Sequence, residues 1–171
     1  AEADIQRSTI STFAWLGLAY SFKFLWSPLV DAVRLPLLSR WLGHRRAWLL
    51  VAQVALMVSL LSLAVVDPAL EMAIFATIAL AVAFMSATQD IVIDAYRIES
   101  AEVRLQGVMA ASYQYGYRVG VLMATTGALL IADNSSWSMA YQAMALCMAV
   151  GMITTFMCHE PVVHEPLSSR L

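Results

Sequence analysis

Five long apolar stretches, each closed by polar or charged residues, set the pattern along the chain. They cover residues 9–30, 47–66, 72–94, 105–132 and 135–158. Crossing a bilayer takes about 20 residues of helix. None of the stretches alternates with period two, and each is too long for an ordinary strand. Lipid offers the backbone no hydrogen-bond partners, so each stretch is predicted to be a helix. The expected fold class is therefore all-α, a polytopic transmembrane helical bundle of five spans. Short breaks separate the elements. Asp67-Pro68-Ala69 parts the second span from the third, because proline removes a donor and clashes with the turn before it. Asp133-Asn134-Ser135-Ser136 parts the fourth from the fifth, and its Asn and Ser side chains suit a helix N-cap. A basic loop runs from Arg34 to Arg46, and a polar tail follows Glu160. No internal repeat is visible.

Composition supports the same class. Hydrophobic residues make up 61% of the chain and charged residues 13%. A soluble domain sits near half apolar and a quarter charged. One core of this size could not hide the excess. The net charge of −2 gives no reason to expect a nucleic-acid partner. Cys147 and Cys158 lie eleven residues apart in the last span. That is about 16 Å along a helix, too far for a disulfide within it. No metal-ligand spacing and no cofactor motif is present. His44, His159 and His164 are scattered, without a nucleophile–base pair, so an enzyme is not expected. The chain opens with Ala1 and carries no leader-like segment, so it is expected to be a piece of a longer protein.

The basic residues are unevenly placed. Arg34, Arg40, Arg45, Arg46, Arg97, Arg104 and Arg170 fall on one side of the predicted membrane. Arg7 is alone on the other, among Glu2, Asp4, Asp67, Glu71 and Asp133. Lys and Arg are retained in the cytoplasm, so the first side is expected inside, with the N-terminus outside and the C-terminus cytoplasmic. Trp26, Trp41, Trp48 and Trp137 fall near span ends, as an aromatic belt does.

Three charges, Lys23, Asp90 and Arg118, interrupt the apolar stretches. A charge at that depth costs about 2.5–3.5 kcal/mol, so it is expected to face a bundle interior or a wet cavity. Lys23 and Asp90 lie about 10–12 Å inside the same face and could pair if their helices are neighbours. Arg118 is deeper, about 20 Å from Leu105. Asp94 lies four residues after Asp90, on the same helix face. Two carboxylates held together share a proton more readily than one alone, which suits a proton carrier. The plainer reading pairs Asp94 with Arg97 at the membrane edge. On the fourth span, Gln114, Arg118 and Thr125 form a polar stripe. Gly116, Gly120 and Gly127, with Ser112 and Ala124, form a small-residue stripe for helix packing. The second and fifth spans carry neither stripe and are expected to lie outermost.

Asp31 followed by Gly43-His44-Arg45-Arg46 resembles the cytoplasmic signature of the major facilitator superfamily. The segment between Asp31 and Gly43 is longer than in the general pattern, and Pro28 precedes the acid where glycine is usual. Phe22-Lys23-Phe24-Leu25-Trp26-Ser27-Pro28-Leu29 is similar to the second helix of the AmpG-type muropeptide permeases. Three further runs share the likeness: Arg45-Arg46-Ala47-Trp48-Leu49-Leu50, Ser86-Ala87-Thr88-Gln89-Asp90-Ile91-Val92 with Asp94, and Gly116-Tyr117-Arg118-Val119-Gly120. The resemblance implies helices two to six of a carrier of twelve or more, without its first helix and C-terminal half. It implies proton-coupled import of anhydromuropeptides across the bacterial inner membrane, with helices three and six peripheral. Asp31, Arg45 and Arg46 would then gate the cytoplasmic side by pairing with the missing half. Lys23, Asp90, Asp94, Gln114 and Arg118 would line the solute or proton path. Acetyl-coenzyme A transporters share parts of these runs, which leaves such a solute as an alternative. A non-transporting truncated membrane module is another.

Overall fold

The computed structural model describes residues 22–161. Among the described residues every regular element is helical. The first predicted span falls largely at residues 9–21, outside them. What is described of it is a 3-10 turn, Lys23–Leu25, and a short helix α1, Ser27–Ala32. The break at Trp26 has a covalent cause. Pro28 occupies the first turn of α1, where its missing N–H costs nothing, but it cannot continue a helix from upstream.

An extended residue, Val33, leads to α2, Leu38–Leu42, which ends at Gly43 with φ of 93°. Four helical runs follow that are long and apolar enough to cross a membrane. They are α3, His44–Val65; α4, Met72–Ser100; the run Val103–Asn134; and α7, Trp137–Met157. The third of these runs is not uniform. It comprises a 3-10 turn, α5 (Gln106–Leu122), a π turn (Met123–Gly127) and α6 (Ala128–Asn134). The Thr125 hydroxyl donates to the Val121 carbonyl at 2.7 Å inside that stretch, a competing bond of the kind that bends helices.

The third predicted span was placed at 72–94, whereas α4 continues to Ser100. The apolar run ends at the charges, but the helix does not. Arg97 and Asp94 lie one turn apart at 3.7 Å, and the Gln106 amide donates to the carbonyls of Ile98 and Ala101 at 2.9 and 2.8 Å. These contacts satisfy groups at the helix end that would otherwise need water. The 29 residues of α4 make about 43 Å of helix, longer than a hydrocarbon layer of about 30 Å.

The charge-free second span, as α3, is the hub of the described bundle and packs against both α4 and α7. It buries Ala47, Leu49, Ala52, Gln53, Leu56 and Leu63. Its small residues admit close backbones. Gln53 is satisfied there, its Oε1 accepting from the Thr155 hydroxyl of α7 at 3.0 Å. Gly151 makes that approach possible: a Cβ there would stand 3.1 Å from Gln53 Nε2. α5, by contrast, has no buried residue, and the polar fourth span stands at the edge. A charged helix needs neighbours that these residues alone do not supply.

At the turns, Ser136 caps α7, its Oγ accepting from the Met139 amide at 3.2 Å. Asp67 Oδ1 accepts from the Ala69 amide at 2.8 Å, closing the bend before α4. Ser138 ties α7 to the far end of α3 through the Ala64 carbonyl at 2.6 Å.

Candidate functional site

The charged residues gather at the end of the bundle where α1 finishes, α3 starts and α4 finishes. Arg45, the second residue of α3, meets Asp31 of α1 at 2.5 Å through Nη1. Its Nε and Nη2 donate to the two oxygens of Glu99 on α4, at 3.0 and 2.5 Å. The Arg45 side chain is 13% exposed and Glu99 21%. A planar guanidinium serves two carboxylates at fixed angles, which an ammonium could not do. One side chain thus fastens three helices.

The same end carries a second layer. The first amides of α3 have no helical acceptor, and the Glu160 carboxylate takes two of them. It accepts from the Arg45 amide at 2.7 Å and from the Arg46 amide at 3.2 Å. A negative group there also complements the helix dipole. Glycine is required at position 43 twice over: φ is 93°, and a Cβ would collide with the Glu160 carboxylate. Arg46 turns away from Arg45 and donates to the Thr155 and Phe156 carbonyls, each at 2.9 Å, closing the C-terminal end of α7. Asp31 and Arg45, each expected to pair with the missing half of a carrier, pair with one another here; Arg46 serves a different helix. Tyr96 adds another tie, its hydroxyl donating to the His159 carbonyl at 2.6 Å.

Deeper along α4, Lys23 Nζ lies 3.9 Å from Asp94 Oδ2, and Arg97 Nη2 lies 3.7 Å from Asp94 Oδ1. Asp94 therefore stands between two cations. Lys23 could from its sequence depth reach Asp90, and its ammonium lies within ion-pair distance of Asp94. Arg97 also sits over the ring of Tyr113, 5.5 Å from its centroid, a cation–ring contact that links α4 to α5. Tyr113 lies close enough to Asp90 and Asp94 to feel both charges. A groove of about 480 Å³ opens between α1 and α4, lined among others by Lys23, Ser27, Asp31, Ile91 and Asp94. Gln89 Oε1 and Arg97 Nε are buried without a hydrogen-bond partner among the described residues. Gln114 and Arg118 lie exposed on α5. No described atom comes within 4 Å of where a Cβ would stand on Gly116, Gly120 or Gly127. Among the described residues, no three His, Cys, Asp or Glu gather to hold a metal.

Several participants were not singled out from the sequence. Glu99 and Glu160 look like ordinary polar residues just beyond apolar runs, and only tertiary packing brings them to α3. Gln89 follows the apolar run one position before Asp90, a usable signal. Trp26 was assigned to a membrane-edge belt. Its indole instead donates to the Thr88 hydroxyl at 3.2 Å and packs on Phe84, ring centroids 4.7 Å apart, joining the turn before α1 to α4.

No known family profile matches the chain. Curated relatives do. The anhydromuropeptide permease of Escherichia coli K12 is 36% identical over 169 residues, 98% of this chain and 34% of that protein. AmpG 4 of Rickettsia felis is 34% identical over 161 residues, 93% of this chain and 39% of its own length. AmpG 1 of Rickettsia typhi is 33% identical over 153 residues, 90% of this chain and 34% of its length. The chain thus spans little more than a third of the relatives it matches. With its four apolar helices, it is part of a multi-pass membrane protein.

Proposed function

Since this chain belongs to the family of AmpG-type permeases, we propose that it forms part of the N-terminal half of a muropeptide transporter. The solute is an anhydromuropeptide, moved across the bacterial inner membrane by alternating access and coupled to protons. The observation that carries the reading is the 36% identity to the E. coli anhydromuropeptide permease along 98% of the chain. The geometry supports it: polar groups line a groove at one end of α4, and Gln114 and Arg118 lie on a helix that buries nothing within these residues. Secondary carriers bind solute between repeats, so a helix turned toward an absent half is a natural wall of the pathway.

In this reading Arg118 attracts an anionic group of the solute. Asp90 relays the proton, with Asp94 beside it and Lys23 holding that carboxylate's charge in check. Asp31, Arg45 and Glu99 brace the gate at the basic end, which faces the cytoplasm because arginine-rich loops are retained there. Arg46 braces the same end through α7. Gly116, Gly120 and Gly127 give the remaining part of the transporter a close approach to α5.

Uptake of labelled anhydromuropeptide by the whole transporter tests this. Arg118→Ala removes a charge-assisted contact of about 1.5–3 kcal/mol, so apparent affinity is expected to fall about tenfold to a hundredfold. Asp90→Asn is expected to abolish dependence on the proton gradient while the protein still folds. Wild-type uptake in both variants sinks the assignment of the pathway.

A further inference from the structure

At the end of α3 opposite Arg45, the helices enclose a hollow of about 580 Å³. Small-molecule pockets run from about 300 to 1,000 Å³. Leu63 and Val66 from the end of α3, Phe75 of α4, and Trp137 and Tyr141 of α7 line it, and so does Asp67 of the turn. The three rings stand in a row. Tyr141 is in the middle, with the Phe75 and Trp137 centroids each 6.4 Å away and the planes turned by 65° and 36°. Asp67 is the one charged residue of the lining. Its Oδ1 accepts from the Ala69 amide at 2.8 Å, and none of the ion pairs among the described residues includes it. Ser138, also in the wall, is already engaged with the Ala64 carbonyl. Residues 65–72 and 129–141, the two turns at this end with their flanks, hold Asp67, Glu71 and Asp133 but no lysine or arginine. Aromatic residues at a span end make an ordinary membrane-edge belt. A belt requires neither a hollow nor an acid within it.

We propose that this hollow binds an organic cation: a substituted ammonium carrying an apolar arm and no anionic group. Each part of the wall selects one part of the ligand. Ring faces attract a cation through their quadrupole, tryptophan most strongly. The Asp67 carboxylate adds an opposite charge that the described residues leave without an ion pair. Leu63 and Val66 receive the arm, because apolar surface is driven out of water. A phosphate or carboxylate on the same ligand would meet acids at this end and no cation to hold it, which selects against a zwitterion.

Equilibrium dialysis of the whole transporter in a non-ionic detergent, with radiolabelled meta-hydroxyphenyltrimethylammonium as the probe, tests the site. Saturable binding is expected. At matched free concentration, meta-tert-butylphenol, an uncharged molecule of the same shape, is expected to compete about tenfold less well than unlabelled probe. Asp67→Asn keeps an acceptor for the Ala69 amide and removes the charge, and is expected to weaken binding about fivefold. Trp137→Leu keeps an apolar wall and removes the ring, and is expected to weaken it by a similar factor. Equal competition by the phenol overturns the proposal, because the hollow is then an apolar one that ignores charge. Undiminished binding in either variant overturns it as well, and so does the lack of saturable binding by the native protein. Displacement by phosphatidylethanolamine as readily as by unlabelled probe also overturns it, because the occupant is then a lipid headgroup. Asp67 and Trp137 are both exposed, so neither variant disturbs a packed interior. The native protein's choice between probe and phenol stands without either.

Discussion

Arg45 and Lys23 show how differently two ion pairs of one chain can weigh. Arg45 is largely covered and holds Glu99 by two oxygens, whereas Lys23 and Asp94 approach only to 3.9 Å with side chains 37% and 39% exposed. Solvent screens the second pair and leaves the first nearly intact. A double-mutant cycle on the whole transporter in detergent, read by thermal unfolding, should give Arg45–Glu99 a coupling of about 1.5–3 kcal/mol. Lys23–Asp94 should give less than about 1 kcal/mol. Arg45→Ala should cost more than Glu99→Gln, because it leaves two carboxylates facing each other. At position 43, Gly43→Ala should destabilise by about 1 kcal/mol or more, since it meets both an unfavourable φ and the Glu160 carboxylate.

Helix ends were legible where the apolar run and the helix end together, and hidden where they part. The cap expected among Asn134, Ser135 and Ser136 is made by Ser136, because capping chemistry is local. α4 runs six residues past the predicted span, since the bonds that prolong it come from Arg97, Arg45 and Gln106, and two of those lie on other elements. Glu160 as the cap of α3 could not be read at all: it lies more than a hundred positions away in the chain. The centrality of α3 was hidden for a related reason. Absence of charge says that a helix tolerates lipid, not that it faces lipid. Its buried Gln53 was the available hint. The seam between α3 and α7 depends on that amide, on Thr155 and on the space at Gly151. Thr155→Val should therefore cost about 1–3 kcal/mol by stranding the Gln53 carbonyl. Gly151→Leu should part the two helices and lower the unfolding temperature further than Thr155→Val does.

As a whole, the described bundle is lopsided. α3 packs between α4 and α7, and α6 packs on α7, while α5 touches α4 through few side chains, Tyr113 against Arg97 among them. The glycine stripe of α5 is open to a partner that these residues do not provide. Cysteines placed at Gly116 and Gly120, in a background without Cys147 and Cys158, should react readily with a soluble maleimide in this chain alone. In the whole transporter they should be protected at least tenfold, by about the factor that burial imposes on amide or thiol access. Equal labelling in both would mean that α5 is a lipid-facing helix. The candidate path was legible in residue type, because ionisable side chains within apolar runs are conspicuous. Its pairings were not, because they depend on which helices are neighbours.

Finally, α4 has the proportions of an oar. About 43 Å long and about 30 Å of it in oil, it carries Glu99 near the tip of its wet blade. Rocking it by about 10° around its midpoint sweeps that tip sideways by about 4 Å. That stroke exceeds the 2.5 Å reach of the bond to Arg45. A modest lean of that one rod is enough to part it from the other two.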